Sequence, residues 1–274
     1  MERTAGSLSV TASDFGAGMF RFLDAYTLRA RLFPAIIGAA PALAALALLI
    51  SWKSLELSNI IATVGILVVI YALADWARKQ GRKIEPVLYA QMGGKPSVTM
   101  MYRSDGTIDS ASKDRYRDFL AAAVKSPAPT QLDEVQNPAA TNAFYELAGT
   151  WLRESTRDTK RFAILFNENV TYGFRRNLLG LKWPALVLNV VVVGICAVIL
   201  WYNAPINLGD DLTRRVLVVL VVAATHALYI CLIVTRRGVM DASRTYARQL
   251  ILSCEALMAS GSKAPTRTRR KIKP

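Results

Sequence analysis

Four apolar runs divide this chain, near residues 32–52, 57–77, 183–202 and 216–235. Each is about 20 residues long, the length of helix that crosses a hydrocarbon core about 30 Å thick. Each stays apolar on all faces, which soluble core helices seldom do over that length. Between the second and third runs the pattern changes to apolar residues recurring every three or four positions on a polar background, the period of amphipathic helices. The pattern predicts an all-α membrane protein: four transmembrane helices in a 2+2 arrangement, with a helical cytosolic domain inserted between spans two and three.

The finer division follows the same changes of pattern. Residues 1–31 read as an N-terminal tail, with 1–13 disordered, and an interfacial helix that mixes Phe20, Phe22, Leu23 and Tyr26 with Arg21, Arg29 and Arg31. The alternative is that this segment is simply the start of the first span. Residues 32–77 hold spans one and two, 78–181 the inserted domain, 182–235 spans three and four, 236–260 an amphipathic helix, and 261–274 a basic disordered tail. Pro34 is tolerated in a first turn, whereas Pro41 removes a backbone hydrogen bond inside span one and predicts a kink. In the inserted domain, Pro86 and Pro96 are expected in first turns of short helices, separated by Gly93-Gly94. A hairpin pairing 87–92 with 97–103 is the alternative. Asp109 or Ser110 is expected to cap a helix carrying Tyr116, Phe119, Leu120 and Ala123 on one face, and Asn137-Pro138 to open a helix through Arg157.

Charge sets the expected orientation. Residues 78–181 contain 16 Lys/Arg against 11 Asp/Glu, and residues 235–274 contain 10 against 2. The two short connections are nearly free of cations: Lys53 in one and only Asp210 and Asp211 in the other. The positive-inside rule then places both termini and the central domain in the cytoplasm of a cell whose inner membrane the protein spans. Arg214 and Arg215, at the outer start of span four, are expected to snorkel and pair with Asp210 and Asp211. The first run begins too late, and is too long, for a cleaved secretion signal.

The chemistry of catalysis is missing from the pattern. Cys196, Cys231 and Cys254 are too scattered for a disulfide framework or a zinc site, and one histidine excludes a multi-histidine metal centre. Gly93-Gly94-Lys95-Pro96-Ser97 lacks the upstream glycine of a phosphate loop and has proline where Ser or Thr belongs. The carboxylates Asp105, Asp109, Asp114 and Asp118 read as caps and solvated helix charges. We therefore expect no catalytic residues, no metal and no cofactor. Within the spans, Thr63, Asn189, Thr225 and His226 are the candidate pore-lining residues, because polar side chains at membrane depth face water or other helices. Interhelical hydrogen bonding is the alternative for each.

The stretch 157–182, RDTKRFAILFNENVTYGFRRNLLGLK, brings basic clusters and aromatics onto an expected helix of about seven turns that leads into span three. Attraction to anionic lipid explains cations close to the membrane. It explains Arg157–Arg161 less well, because that cluster lies roughly 30 Å along a helix from the span boundary. Arg157, Lys160, Arg161, Arg175 and Arg176 are thus the candidate ligand-binding residues for a phosphate-bearing molecule, with Tyr172, Phe174 and Trp151 available to stack on bases.

That stretch, the upstream IEPVLYAQMGGKP and the opening FRFLDAYTLRARLFPAIIG resemble a family of bacterial four-span inner-membrane proteins over most of residues 20–182. The layout is similar to Hailong-like membrane effectors of anti-phage systems, in which a partner nucleotidyltransferase makes a nucleotide or oligonucleotide signal. The resemblance implies a homo-oligomeric effector, a ligand-gated ion-conducting pore that works in antiviral defence, with a nucleotide, an oligonucleotide or a cytosolic nucleotidyltransferase as partner. It assigns no ligand-binding residue. A non-conducting membrane scaffold that recruits a cytosolic partner is the alternative. A small-solute transporter is disfavoured, since the two span pairs show no repeat.

Overall fold

The computed structural model describes residues 25–50 and 59–261. Among these residues every regular element is a helix: α1 (Ala25–Leu49), α2 (Asn59–Gln91), α3 (Pro96–Thr99), α4 (Ser110–Val124), α5 (Gln131–Gln136), α6 (Pro138–Ser155), α7 (Ala163–Gly180), α8 (Lys182–Tyr202), α9 (Asp211–Leu232) and α10 (Arg236–Gly261). The helix–helix reading of the central region therefore holds over the hairpin. The tails expected to be disordered, most of the expected interfacial helix and the 51–58 connection with Lys53 lie outside the described residues.

Among the described residues three helices, α1, α8 and α9, are long and apolar enough to cross a membrane. The chain divides into two compact units. The first comprises residues up to Glu85 together with Val170–Val239. In it α1, α8 and α9 pack on one another, joined by Val192 and Cys196 of α8, Val216 and Val219 of α9, and Ala42, Ala45 and Leu48 of α1. The faces turned away from this core remain apolar: Val190 is 72% exposed, and Val187, Val198, Val221 and Leu228 are similar. Outside a bilayer such faces would be costly, whereas against lipid they are matched. Helix α8 is 21 residues, about 31 Å at 1.5 Å per residue. Exposed Trp183 marks one end and exposed Trp201 and Tyr202 the other, the placement of interfacial aromatic anchors.

Of these three helices, α9 has a side-chain cap at its N-terminal end. Asp210 accepts from the Thr213 N–H at 2.8 Å and so opens α9. Asp210 is spent on this cap, so both Arg214 (3.6 Å) and Arg215 (2.6 Å) pair with Asp211. Arg215 also donates to the Leu48 carbonyl, placing a cation at the C-terminal end of α1, where the helix dipole favours one.

The second unit holds Pro86–Asn169 and the chain from Met240 onward. Its core joins Tyr116 and Leu120 of α4, Phe144, Tyr145, Ala148 and Leu152 of α6, Phe162 and Leu165, and Leu250, Ile251 and Cys254 of α10. The amphipathic C-terminal helix is thus a structural part of this core. Asp109 caps α4 by accepting from Ser112 N–H at 2.8 Å, and Thr130 with Asp133 forms a capping box on α5. Buried Lys113 and Arg117 secure the loop before α4 by donating to the carbonyls of Tyr102 (2.6 Å) and Met101 (3.0 Å). Gly93 and Gly94 have φ of 76° and 138°, and their N–H groups donate to Ala90 and Tyr89 carbonyls. That is a Schellman stop; the glycine pair ends a helix.

Tyr116 supplies a pH test. Burial and the Glu255 carboxylate, which accepts from its hydroxyl at 2.9 Å, push the phenol up to about 12. An unfolded tyrosine ionises near pH 10. The resulting stability is complete below pH 10 and is lost as pH rises toward 12, because only the unfolded chain releases the proton in that window. Tyr116→Phe is expected to lower the thermal midpoint at pH 9 and to reduce the further fall between pH 9 and pH 11. Equal falls in the two proteins would contradict this.

Candidate functional site

Helix α1 carries prolines at 34 and 41, and each lacks the N–H that would bond the carbonyl four residues back. Pro34 thereby leaves the Ala30 carbonyl without an α-helical partner, within a π-turn over Leu28–Leu32 closed by Phe33 N–H to the Leu28 carbonyl. Asn177 of α7 supplies the missing donor: its Nδ2 donates to the Ala30 oxygen at 2.7 Å, fully buried.

Asn177 belongs to a larger node. Its Oδ1 accepts from Nε and Nη2 of Arg176 at 3.2 and 3.1 Å. Arg176 Nη1 donates to Glu85 of α2 at 2.7 Å, and the same carboxylate oxygen accepts from Tyr172 at 2.7 Å. Arg176 also lies 5.5 Å from the Tyr172 ring centroid. Although burial opposes its charge, the Glu85 carboxylate more than offsets this and raises the Arg176 pKa. Two glycines permit the contact: a Cβ on Gly81 would lie 2.1 Å from Asn177 Oδ1, and one on Gly180 would lie 2.5 Å from backbone atoms of Gln80 and Gly81. Helices α2 and α7 therefore meet backbone to backbone. Gly180 has no positive φ. It is glycine because of this approach, and not as the left-handed helix stop its position predicts.

A second node lies deeper in the same unit. Asn189 Nδ2 of α8 donates to the Ala223 carbonyl at 2.8 Å and lies 2.8 Å from His226 Nδ1. Ala223 accepts only from a donor, which fixes the amide orientation, so Nδ1 is the acceptor and the imidazole proton is on Nε2. Nε2 is buried without a hydrogen bond of normal geometry, and the Ile37 carbonyl acts on the ring. That carbonyl is the one Pro41 leaves without an N–H. Both prolines of α1 thus open a carbonyl that a polar side chain from another helix faces.

The candidate pore residues occupy different surroundings. Asn189 and His226 are buried against each other, whereas Thr225 is exposed and bonds back to the Val221 carbonyl at 2.9 Å. The side chain of Thr63 lies outside the described residues.

The five candidate ligand cations also divide. Arg157, Lys160 and Arg161 belong to the second unit, Arg175 and Arg176 to the first. The expected seven-turn helix is shorter: α6 stops at Ser155, residues 156–162 form turns, and α7 begins at Ala163. Asp158 causes the break, since its carboxylate accepts from the N–H groups of Lys160 and Arg161 at 3.0 and 3.1 Å. Arg157 pairs with Glu154. Arg161 donates to the Ala256 carbonyl at 2.7 Å and lies over the Phe162 ring. Lys160 is exposed. Arg175 is exposed and donates to the Gly238 carbonyl at 3.0 Å. Arg176 is 9% exposed and engaged as above. Pro86 lies inside α2, not in a first turn.

Comparison of the chain with protein-family models, curated proteins and solved structures gives no match. Among the described residues no group of three His, Cys, Asp or Glu is placed to hold a metal ion. Glu85, Gly81 and Asn177 carry the main node, and sequence periodicity does not single them out. The available signal for Glu85 is local: it is the one acid between Arg78 and Arg103.

Proposed function

We propose that the protein is a four-span, oligomeric membrane effector that conducts ions when a ligand or partner engages its second unit. In this account the apolar half of α2 is the remaining span, and both termini and the second unit are cytoplasmic. Helix α7 transmits the signal. The observation that supports this is the node on α7: Asn177 holds the Ala30 carbonyl of α1, and Arg176 and Tyr172 hold Glu85 of α2. One residue, Leu181, separates α7 from α8. A displacement of α7 would therefore act on α1, α2 and α8 together. Its first residues, 163–169, belong to the second unit, where Arg157, Lys160 and Arg161 would receive a phosphate-bearing nucleotide, an oligonucleotide or a nucleotidyltransferase partner.

The test uses the full chain in planar bilayers and in cells that carry the intact system. Arg157→Gln with Lys160→Gln is expected to reduce signal-dependent depolarisation at least tenfold while leaving membrane insertion intact. Unchanged depolarisation would remove the ligand assignment. Stable co-purification with a soluble partner, with no current under any activating condition, would favour the scaffold reading.

A further inference from the structure

The first unit contains a cavity of about 320 Å³ where α7, α9 and the start of α10 meet, lined by Phe174, Leu178, Tyr229, Ile233, Arg175 and Thr235 among others. Its volume is at the lower end of small-molecule pockets, roughly 300–1,000 Å³. We propose that this cavity binds one anionic phospholipid, with the phosphate on Arg175 and the first part of an acyl chain against Phe174, Leu178 and Ile233.

Three observations converge on that occupant. The first is charge. Arg175 lines the cavity and Lys182 borders it, and neither makes an ion pair among the described residues. Arg175 commits one N–H to the Gly238 carbonyl, so most of its five donors remain for a phosphate. Lys182 is held at the edge of the cavity by donating to the Val234 carbonyl at 2.8 Å.

The second is the lining. Phe174 and Leu178, one turn apart on α7, line the cavity together with Tyr229 of α9 and Ile233, the C-cap residue of that helix, so the interior is mostly apolar. Thr235 opens α10, its Oγ1 accepting from Gly238 N–H at 3.2 Å, and its hydroxyl proton is available for an anion. A free phosphate or nucleotide would gain little from such walls.

The third is location. The cavity adjoins the last turn of α9, one of the membrane-length helices, where Leu232 and Ile233 are exposed. That is the depth at which a phospholipid headgroup meets its chains. Anionic headgroups add favourable energy per cation at that surface, and a zwitterionic headgroup would bring a positive group against Arg175 and Lys182.

The inference rests on the membrane placement of α8 and α9 and not on pore activity. The test is native mass spectrometry of the purified full chain, supplied separately with phosphatidylglycerol and phosphatidylcholine. The wild type is expected to retain one phosphatidylglycerol per chain at least tenfold more strongly than phosphatidylcholine. Arg175→Gln, which removes the phosphate donor, and Ile233→Trp, which narrows the cavity from an exposed position, should each abolish that preference. Lys125→Gln, at an exposed position in the second unit, should not. Inorganic phosphate at millimolar concentration should leave retention unchanged. Equal retention of the two lipids, an unaltered preference in both variants, or displacement by phosphate would overturn the proposal. Failure of the protein to insert into any lipid vesicle would overturn the membrane placement as well.

Discussion

Gly81→Ala and Gly180→Ala are expected to be among the most destabilising single substitutions in the first unit, each costing about 3 kcal/mol or more, above the usual range for an overpacked site. The added methyl at 81 meets Asn177 Oδ1 at 2.1 Å and the Asn177 Cα at 2.9 Å, and that at 180 meets the Gln80 carbonyl carbon and Gly81 nitrogen at 2.5 Å. Backbone atoms cannot rotate away as a side chain can, so α2 and α7 would have to separate and the Asn177–Ala30 bond would be lost with them. The cysteines provide the readout. Cys196 is buried in the first unit and Cys254 in the second. With Cys231→Ser and Cys254→Ser in the background, a thiol-reactive dye reports opening of the first unit through Cys196 alone. A markedly lower labelling temperature is expected. Gly65→Ala, where nothing lies within 4 Å of an added Cβ, serves as the control and should change little.

Glu85→Ala should have an effect of similar size for a different reason. It leaves Arg176, 9% exposed, with a charge in low dielectric and no carboxylate, and it removes the acceptor for Tyr172. Breaking one side of a buried pair costs about 3–5 kcal/mol. Glu85 is partly accessible, so the lower part of that range is expected. The decisive comparison is the double variant Glu85→Ala with Arg176→Met. Removing both charges avoids the unpaired cation, and the labelling temperature should recover most of the loss. If the double variant were as unstable as the sum of the two single ones, the pair would not be the reason for the effect.

Three of the four expected membrane-length helices, α1, α8 and α9, were legible in the sequence because their signal is local and long: an apolar run of membrane length needs no partner to be recognised. Caps were legible for the same reason, as Asp109 and Pro138 show. Misreadings arose where a nearby side chain competes with the helix or where the cause lies far along the chain. Asp158 captures two N–H groups and breaks a pattern that is otherwise helical. Pro86 continues α2 because it and Arg82 are exposed, so the carbonyl it leaves free can be hydrated, a tolerance the first-turn rule ignores. The candidate ligand cations were the hardest to read. Arg175 and Arg176 are adjacent in sequence and alike in type, yet one faces a cavity and the other a carboxylate 91 residues away in the chain. The carbonyl opened by Pro41 was foreseeable as a vacancy in α1, whereas Pro34 read as a first-turn proline and lies inside the helix because α1 begins at Ala25. That Asn177 and His226 face these two carbonyls was not foreseeable, because their partners come from distant helices.

The proposed pore built from several copies is tested most directly by the structure of the purified assembly of this chain in a lipid nanodisc. The expected result is a closed ring of three or more copies, with the exposed faces of the apolar helices against lipid or neighbouring copies and a continuous path along the ring axis. A monomer, or a dimer without an axial path, would contradict it.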